Sequence, residues 1–286
     1  MKYIKYLIQF IFIIFFFIIF KLIGLKFSSF ISGKLFQIIG PLFRQKKIIY
    51  ANIKRVFPDI NHNEIRKITK NMWNNYGRVF AEYMFIKKLR NEFFDSHIKI
   101  KGLEILSEIK KNNKPVIFIS GHFSNFELMA MTIEKFGIKL AAIYRPLNNR
   151  FLNVIMEKIR KNHICKFQIK KGVGGLRKLI KLNKDGFSSA LMIDQRVTEG
   201  IRSNFFNEKA FTTTIPAQLI KKYGYIIVPV FIERFEDVKF KITFYNPIKF
   251  SKDVSEKDIT QRLNNILEKM IIKKPEHWIW THNRWK

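Results

Sequence analysis

The chain has 286 residues, 47% hydrophobic composition and one cysteine, Cys165. This length suits one large α/β core, the hydrophobic fraction excludes an intrinsically disordered chain, and a single cysteine excludes an intramolecular disulfide. The formal net charge of +31 predicts attraction to anionic surfaces, although the many Lys, Ile, Asn and Phe residues indicate that AT-rich codon usage contributes to it. No His/Cys pair has the spacing of metal ligands, so we expect neither a metal nor a cofactor.

The first segment, residues 6–25, is apolar except for Gln9, Lys21 and Gly24. Because about 20 residues span a bilayer, we predict that residues 1–26 form a membrane anchor, which either crosses the bilayer or lies in its interface. A cleaved signal peptide is disfavoured because no small-residue cleavage site follows the apolar run. The basic residues that come next predict that the body of the protein faces the cytoplasm.

The remaining residues, 27–286, are predicted to form one domain. A helix is expected to begin at Asn61, with Glu64 completing a capping box. Beyond it, apolar runs predict strands and amphipathic segments predict the helices between them. The predicted strands are 116–120, 139–144, 188–193, 225–232 and 239–245. This alternation indicates an α/β fold with a largely parallel, mixed sheet flanked by helices.

His122 stands directly after a predicted buried strand and after Gly121. Ligands bind at the carboxyl ends of strands in such sheets, and a histidine held there by a carboxylate can act as a general base. Glu127 follows five residues later, at the start of a helix. Two interpretations are open, because Glu127 could hold the His122 ring or could only close a capping box with Ser124.

Four further residues are candidates for substrate binding. Arg145 follows a predicted strand and Arg160 lies in the next helix, where a guanidinium could bind phosphate or carboxylate, or could simply be solvated. Asp194 and Gln195 end another strand, so they should share the sheet edge of His122.

Two other segments leave alternatives open. The glycine-rich stretch from Gly172 to Gly175 could seat an anion on backbone N–H groups, but a plain turn is favoured because it lacks the known phosphate-binding spacings. The aromatic, basic C-terminal segment, residues 277–285, could sit at a membrane interface or close the core, and we favour core closure.

Several blocks occur along the chain in a specific order. They are 52–59 (NIKRVFPD), 72–78 (MWNNYGR), His122 with Glu127, 144–146 (YRP), 194–195 (DQ), 205–206 (FF), 210–212 (AFT), 275–280 (PEHWIW) and 282–285 (HNRW). Taken together, they resemble the late acyltransferases of lipid A biosynthesis, the lauroyl/myristoyl transferase branch of the lysophospholipid acyltransferase superfamily. The match covers nearly the whole chain, and the ordered set is far more specific than the His-x4-Glu spacing alone.

The resemblance implies transfer of an acyl chain from acyl carrier protein to a hydroxyacyl arm of a lipid A precursor, at the cytoplasmic face of a bacterial inner membrane. His122 would take the hydroxyl proton and Glu127 would hold and charge its ring, without a covalent acyl-enzyme. Arg145 and Arg160 would position anionic groups or the developing oxyanion. Asp194 and Gln195 are assigned to substrate binding.

Two alternatives to this function are open. One is an acyltransferase that acts on another membrane lipid, such as a phospholipid, glycolipid or aminolipid. The other is a basic, membrane-tethered binding protein, suggested by the charge. The second is disfavoured because no nucleic-acid-binding motif is recognised and His122 would have no role, so we expect no nucleic-acid partner.

Overall fold

The computed structural model describes residues 2–286 and has the α/β architecture that the sequence predicts. Its α-helices are α1 (Lys2–Ile23), α2 (Leu25–Phe43), α3 (Lys46–Val56), α4 (His62–Glu82), α5 (Ile86–Asn91), α6 (Phe94–His97), α7 (Leu103–Asn112), α8 (Glu127–Lys135), α9 (Arg150–His163), α10 (Val173–Lys184), α11 (Ile215–Tyr223) and α12 (Glu256–Lys273). Its strands are β1 (Ile98–Lys101), β2 (Ile117–Ser120), β3 (Leu140–Tyr144), β4 (Phe167–Lys170), β5 (Ser188–Met192), β6 (Ile201–Phe205), β7 (Glu208–Thr212), β8 (Ile227–Glu236) and β9 (Lys239–Phe244).

Seven of the strands form one mixed sheet in the order β1-β9-β8-β2-β5-β3-β4. All neighbours are parallel except the antiparallel pair β8–β9, while β6 and β7 form a separate antiparallel hairpin. The predicted largely parallel sheet is thereby confirmed. Strand β2 lies inside the sheet between β8 and β5, and all four of its residues are buried. The residues that follow β2 therefore emerge at the centre of the sheet's carboxyl edge.

The sequence analysis missed β1 and β4, which are the two edge strands of this sheet, and the hairpin β6–β7. Each edge strand has only four residues, and both mix buried with partly or fully exposed positions. A short strand with one unpaired edge lacks the continuous apolar run that identifies buried parallel strands. The predicted start of α4 is confirmed, because the Asn61 side chain accepts from the Glu64 N–H and Glu64 reaches back in a capping box.

The predicted N-terminal anchor contains a helix, α1, that packs along the rest of the protein. Phe17 and Phe20 are buried and their rings contact Phe80, while the Asn149 side chain donates to the Tyr6 carbonyl at 2.8 Å. The opposite face of α1 carries exposed apolar side chains, including Ile4, Ile8, Ile11, Phe12, Phe15 and Ile18. Within residues 2–286, α1 is the one helix long and apolar enough to cross a membrane, by length and composition.

Helix α2 follows α1 after Gly24, whose φ of 81° ends the first helix. It packs tightly on α4, because Gly77 brings the two backbones together. A Cβ at Gly77 would lie 2.3 Å from the Ser32 carbonyl oxygen, and the Ser32 hydroxyl donates to the Gly77 carbonyl at 2.6 Å. This contact holds α2 against the C-terminal half of α4.

The C-terminal segment closes the core, as predicted. Trp278 and Trp280 are buried with their rings 4.7 Å apart. Arg284 is also buried, and it donates to the Phe211 carbonyl at 2.6 Å and to the Thr212 hydroxyl at 2.7 Å. The segment therefore joins the β6–β7 hairpin to the sheet and brings Trp278 close to the carboxyl edge.

Candidate active site

His122 lies at the carboxyl edge of the sheet, two residues beyond β2. Its Nδ1 is 2.8 Å from Asp194 Oδ1, and its backbone N–H donates to Asp194 Oδ2 at 3.0 Å. Gly121 permits this approach, because a Cβ there would meet the Phe123 ring at 2.8 Å and the Asp194 Cβ at 3.2 Å. The His122 side chain is 20% exposed, so the ring remains accessible while Nδ1 is occupied.

Asp194 is positioned by strand pairing and is almost fully buried. The preceding residue, Ile193, extends the β5–β2 pairing by donating to the Ser120 carbonyl at 3.0 Å. Asp194 Oδ2 also accepts from the Trp278 indole N–H at 2.9 Å. A buried carboxylate requires such partners, and these donors fix Asp194 on the His122 ring.

The two side chains shift each other's ionisation in opposite directions. Burial alone would lower the pKa of His122, but the Asp194 carboxylate outweighs it and the pKa is raised. Burial would raise the pKa of Asp194, but His122 and the hydrogen bonds to it lower that pKa to about 2. Asp194 is therefore a carboxylate at neutral pH, and it stabilises the imidazolium form of His122.

Glu127, which we expected to hold His122, instead contacts Arg160 and Tyr83. Its Oε1 accepts from Arg160 Nε at 2.9 Å, from Arg160 Nη2 at 2.6 Å and from the Tyr83 hydroxyl at 2.8 Å. Helix α8 begins at Glu127, and this side chain contacts α9 and the turn after α4 instead of Nδ1 of His122. Glu127 still helps to raise the pKa of His122 through its charge, after the larger contribution of Asp194.

The capping box considered for Ser124 and Glu127 is absent from the described structure. Phe126 is the residue that precedes α8, and the buried Ser124 hydroxyl has no hydrogen-bond partner within residues 2–286. Ser124 instead has a φ of 47°, in the left-handed region, and its N–H donates to the His277 carbonyl at 2.9 Å. The loop between His122 and Glu127 is thus held by tertiary contacts.

Arg160, the partner of Glu127, is a largely buried cation. Its side chain is 13% exposed, and its guanidinium lies 5.9 Å from the Tyr83 ring centre and 5.7 Å from that of Tyr144. Burial alone would lower the pKa of Arg160, but Glu127 raises it above its ordinary value. Burial and the Glu127 carboxylate raise the pKa of Tyr83, which stays a neutral donor.

The other predicted site residues lie at the same edge but without direct contact to the His122–Asp194 pair. Arg145 is exposed immediately after β3, and Gln195 is half-buried immediately after Asp194. Gly172 precedes α10 with a φ of 133° and forms the turn into that helix. Within residues 2–286, no hydrogen bond or ion pair links Arg145 or Gln195 to His122, so their substrate-binding roles stay predictions.

Sequence reasoning missed Tyr83 and Trp278 as members of the site. Neither has a motif-like spacing to His122, and each reaches the site from a separate element: Tyr83 from the turn after α4, and Trp278 from the C-terminal segment. It assigned Asp194 to substrate binding, which stays a prediction, and it did not foresee that Asp194 contacts the His122 ring. The available signal in the sequence was that the strands before His122 and Asp194 end at the same edge of the sheet. This placed Asp194 near the site but did not show that it contacts His122.

Comparison with known proteins places this chain in a family. The family model described as bacterial lipid A biosynthesis acyltransferase matches residues 1–286. Lipid A biosynthesis acyltransferase 2 of Shigella flexneri is 23% identical over 87% of this chain and 81% of its own length. The lipid A biosynthesis lauroyltransferase and palmitoleoyltransferase of Escherichia coli strain K12 are 24% and 25% identical, over 85% and 86% of this chain and 79% and 80% of theirs.

Among solved structures, the 1-acyl-sn-glycerophosphate acyltransferase of Thermotoga maritima aligns with a TM-score of 0.43 and 15% identity, over 90% of this chain and 100% of its own. The family match over the full length confirms the resemblance that the ordered motifs carry. The protein is an acyltransferase, and the reaction of its family is acyl transfer in lipid A biosynthesis. The chain belongs to the bacterial lipid A biosynthesis acyltransferase family.

Proposed function

We propose that the protein transfers a fatty acyl chain from acyl carrier protein to the hydroxyl of a hydroxyacyl arm on a lipid A precursor. The observation that carries this proposal is the His122–Asp194 pair at the carboxyl edge of the sheet. Asp194 occupies Nδ1 of the ring at 2.8 Å, which leaves Nε2 as the nitrogen that can accept a proton from substrate. A histidine oriented in this way is suited to general-base catalysis.

In the proposed reaction, Nε2 of His122 removes the proton of the acceptor hydroxyl while the hydroxyl oxygen attacks the thioester carbonyl carbon. The new C–O bond forms, the C–S bond breaks, and the imidazolium returns the proton to the departing thiolate. The products are the acylated lipid and the free thiol of the carrier. Asp194 stabilises the imidazolium throughout. Because the acceptor hydroxyl attacks the thioester directly, the step needs no acyl-enzyme. Cys165 is buried, and burial raises its pKa to about 12, which suits it poorly to nucleophilic attack.

Arg160 is proposed to supply the positive charge that the thioester oxygen needs as it becomes an oxyanion, and Glu127 is proposed to hold the guanidinium in place. Glu127 fixes the Arg160 guanidinium through two hydrogen bonds of 2.9 and 2.6 Å. A preorganised cation in a partly buried site stabilises developing negative charge more strongly than one in water. Arg145 and Gln195 are proposed to bind the polar groups of the substrates at the same edge.

Residues 1–26 are proposed to anchor the enzyme and residues 27–286 to form the acyltransferase domain, at the cytoplasmic face of the inner membrane. The exposed apolar face of α1 supports membrane attachment, and its flanking basic residues Lys2, Lys5, Lys21 and Lys26 suit anionic headgroups. The lipid acceptor and the soluble donor would then meet at the sheet edge.

The donor and acceptor can be tested with purified, detergent-dispersed protein. The assay would compare acyl carrier protein thioesters with acyl coenzyme A as donors, and a lipid A precursor with phospholipid and aminolipid acceptors. We expect the highest kcat/KM for the carrier-protein thioester with the lipid A precursor. Preferred acylation of another lipid would replace the proposed acceptor, and a preference for acyl coenzyme A would reject the proposed donor.

A further inference from the structure

Glu82, at the last position of α4, is a fully buried carboxylate outside the site described so far. Its Oε1 accepts from Arg234 Nη1 at 2.6 Å and from the Ser29 hydroxyl at 2.8 Å. Its Oε2 accepts from Arg234 Nη2 at 3.0 Å and from the Asn125 side-chain amide at 3.0 Å. The carboxylate therefore joins α4, α2, β8 and the loop that carries the His-x4-Glu motif.

The contact to Asn125 matters because of what Asn125 belongs to. Asn125 lies between His122 and Glu127, in a loop with a left-handed residue at Ser124 and no side-chain cap at the helix that follows. Such a loop has no regular backbone pairing of its own, so its conformation depends on external contacts. Asp194 holds its start and Glu82 holds its middle.

The residue after Glu82 holds the end of the same loop. Tyr83 donates its hydroxyl to Glu127 at 2.8 Å, while Glu82 accepts from Asn125 at 3.0 Å. The last residue of α4 and the residue after it thus contact Asn125 and Glu127, which are two positions apart in sequence. Both contacts are buried, so water does not compete with them and each restrains the loop.

We propose that Glu82 is a positioning residue for catalysis, which fixes the His122–Glu127 loop through Asn125 and is itself held in place by Arg234. The inference rests on the proposed role of His122 as general base. Burying a carboxylate is costly unless it is paired, and Arg234 supplies the opposite charge through two hydrogen bonds. A carboxylate held so firmly gives Asn125 a fixed acceptor, and a displacement of about 1 Å in a catalytic group can lower turnover about 100-fold.

The test uses full-length, detergent-solubilised protein with two principal variants and one control. Asn125→Ala removes the link to the loop but keeps the Glu82–Arg234 ion pair, and Glu82→Gln removes the carboxylate charge. The matched control is Glu233→Gln, because Glu233 is also nearly buried on β8 and pairs with Lys273 at 2.8 Å and Lys241 at 3.4 Å. Glu233 precedes Arg234 in sequence, and within residues 2–286 no hydrogen bond joins it to the catalytic loop.

The first measurement is steady-state kinetics. We expect Asn125→Ala and Glu82→Gln each to lower kcat by about tenfold or more, with the KM values for both substrates changed less than about threefold. The double variant should lose about as much kcat as the more impaired single variant, because both substitutions act on the same link between Glu82 and Asn125. The control should keep its kcat even if its melting temperature falls.

The second measurement is hydrogen–deuterium exchange, which reads the loop without depending on turnover. Backbone amide hydrogens in the peptide that contains residues 122–127 should exchange faster in both principal variants than in the wild type. In the control they should exchange at the wild-type rate. If Glu82→Gln does not fold, Asn125→Ala alone decides the matter. Normal kcat or unchanged loop exchange in folded Asn125→Ala would overturn the inference. A wild-type protein without acyl transfer would reject the proposed function instead, and loop exchange would still test the positioning role.

Discussion

His122 and Asp194 occupy matching positions just beyond the ends of two adjacent parallel strands, β2 and β5. Ser120 of β2 is in register with Met192 of β5, and each of the two site residues lies two positions further along its strand. The 2.8 Å contact between Nδ1 and Oδ1 follows from this register, because the pairing continues beyond the strands through Ile193. The sheet itself therefore sets the distance between the proposed base and the carboxylate that orients it.

Replacing Asp194 should change the pH dependence of catalysis as well as the rate. The Asp194 carboxylate raises the pKa of His122 above 6.5, so wild-type kcat/KM should fall as the pH drops through a midpoint above 6.5. Asp194→Asn removes the charge that opposes burial, so the midpoint should move to lower pH and the maximal rate should fall. The measurement is a pH–rate profile, with the exposed Asp253→Asn as control. A midpoint that stays in place in Asp194→Asn would show that Asp194 does not govern His122.

Glu127 is the residue whose role the structure changes most. Glu127→Gln should leave Arg160 without its carboxylate partner and should misplace the guanidinium. Removal of one partner from a buried ion pair lowers the free energy of unfolding by about 3–5 kcal/mol. We expect a lower melting temperature and at least about tenfold lower kcat. Glu134→Gln is the matched control, because Glu134 lies on the same helix α8 and pairs with Arg90 at 3.0 Å. Equal activity losses in the two variants would indicate a general effect on α8.

The two faces of α1 should respond differently to polar substitution. Phe12 and Phe15 are 62% and 58% exposed, whereas Phe17 is 4% exposed. Phe12→Asn with Phe15→Asn should lower partitioning onto anionic phospholipid vesicles by at least about tenfold, with an unchanged melting temperature. Phe17→Asn should lower the melting temperature instead. The measurements are vesicle sedimentation and thermal unfolding, and full vesicle binding by the double variant would place the attachment elsewhere.

The basic surface should mainly promote the encounter of the enzyme with an acidic donor protein. Exposed charges interact over about 10 Å at 0.1 M salt, so added salt should raise the KM for acyl carrier protein and change kcat little. Lys170→Glu with Lys171→Glu should raise that KM in the same way, since Lys170 is 64% exposed at the carboxyl end of β4. An acyl coenzyme A donor serves as control and should be less sensitive. Equal salt sensitivity for both donors would contradict a docking surface for the carrier protein.

The sequence predicted the central strands of the sheet because buried parallel strands are continuous apolar runs, as in Ile117–Ser120. It also placed His122 and Asp194 at one edge, since parallel strands end on the same side. It could not predict that β5, and not β3, lies beside β2, because strand order depends on how the crossovers pack. Which carboxylate residue contacts the His122 ring depends on that strand order.

Local spacing favoured Glu127 because it is close to His122 in sequence. The start of α8 directs Glu127 toward Arg160 and Tyr83, and these partners come from helices distant in sequence. The buried position of Glu82 was equally hidden, since a carboxylate at the end of an amphipathic helix ordinarily faces solvent. Long-range pairing of charges is the part of the site that composition and periodicity do not encode.

The most direct test of the central claim is mass spectrometry of lipid A from a bacterial host that lacks its own late acyltransferases. We expect the wild-type gene to add the mass of one fatty acyl chain, and we expect His122→Ala, expressed at the same level, to lose nearly all of that product. In vitro, the same substitution should lower turnover by about 10²–10⁴, as for loss of a general base. Lipid A without a mass gain from the wild-type gene, or with an equal gain from His122→Ala, would contradict the account.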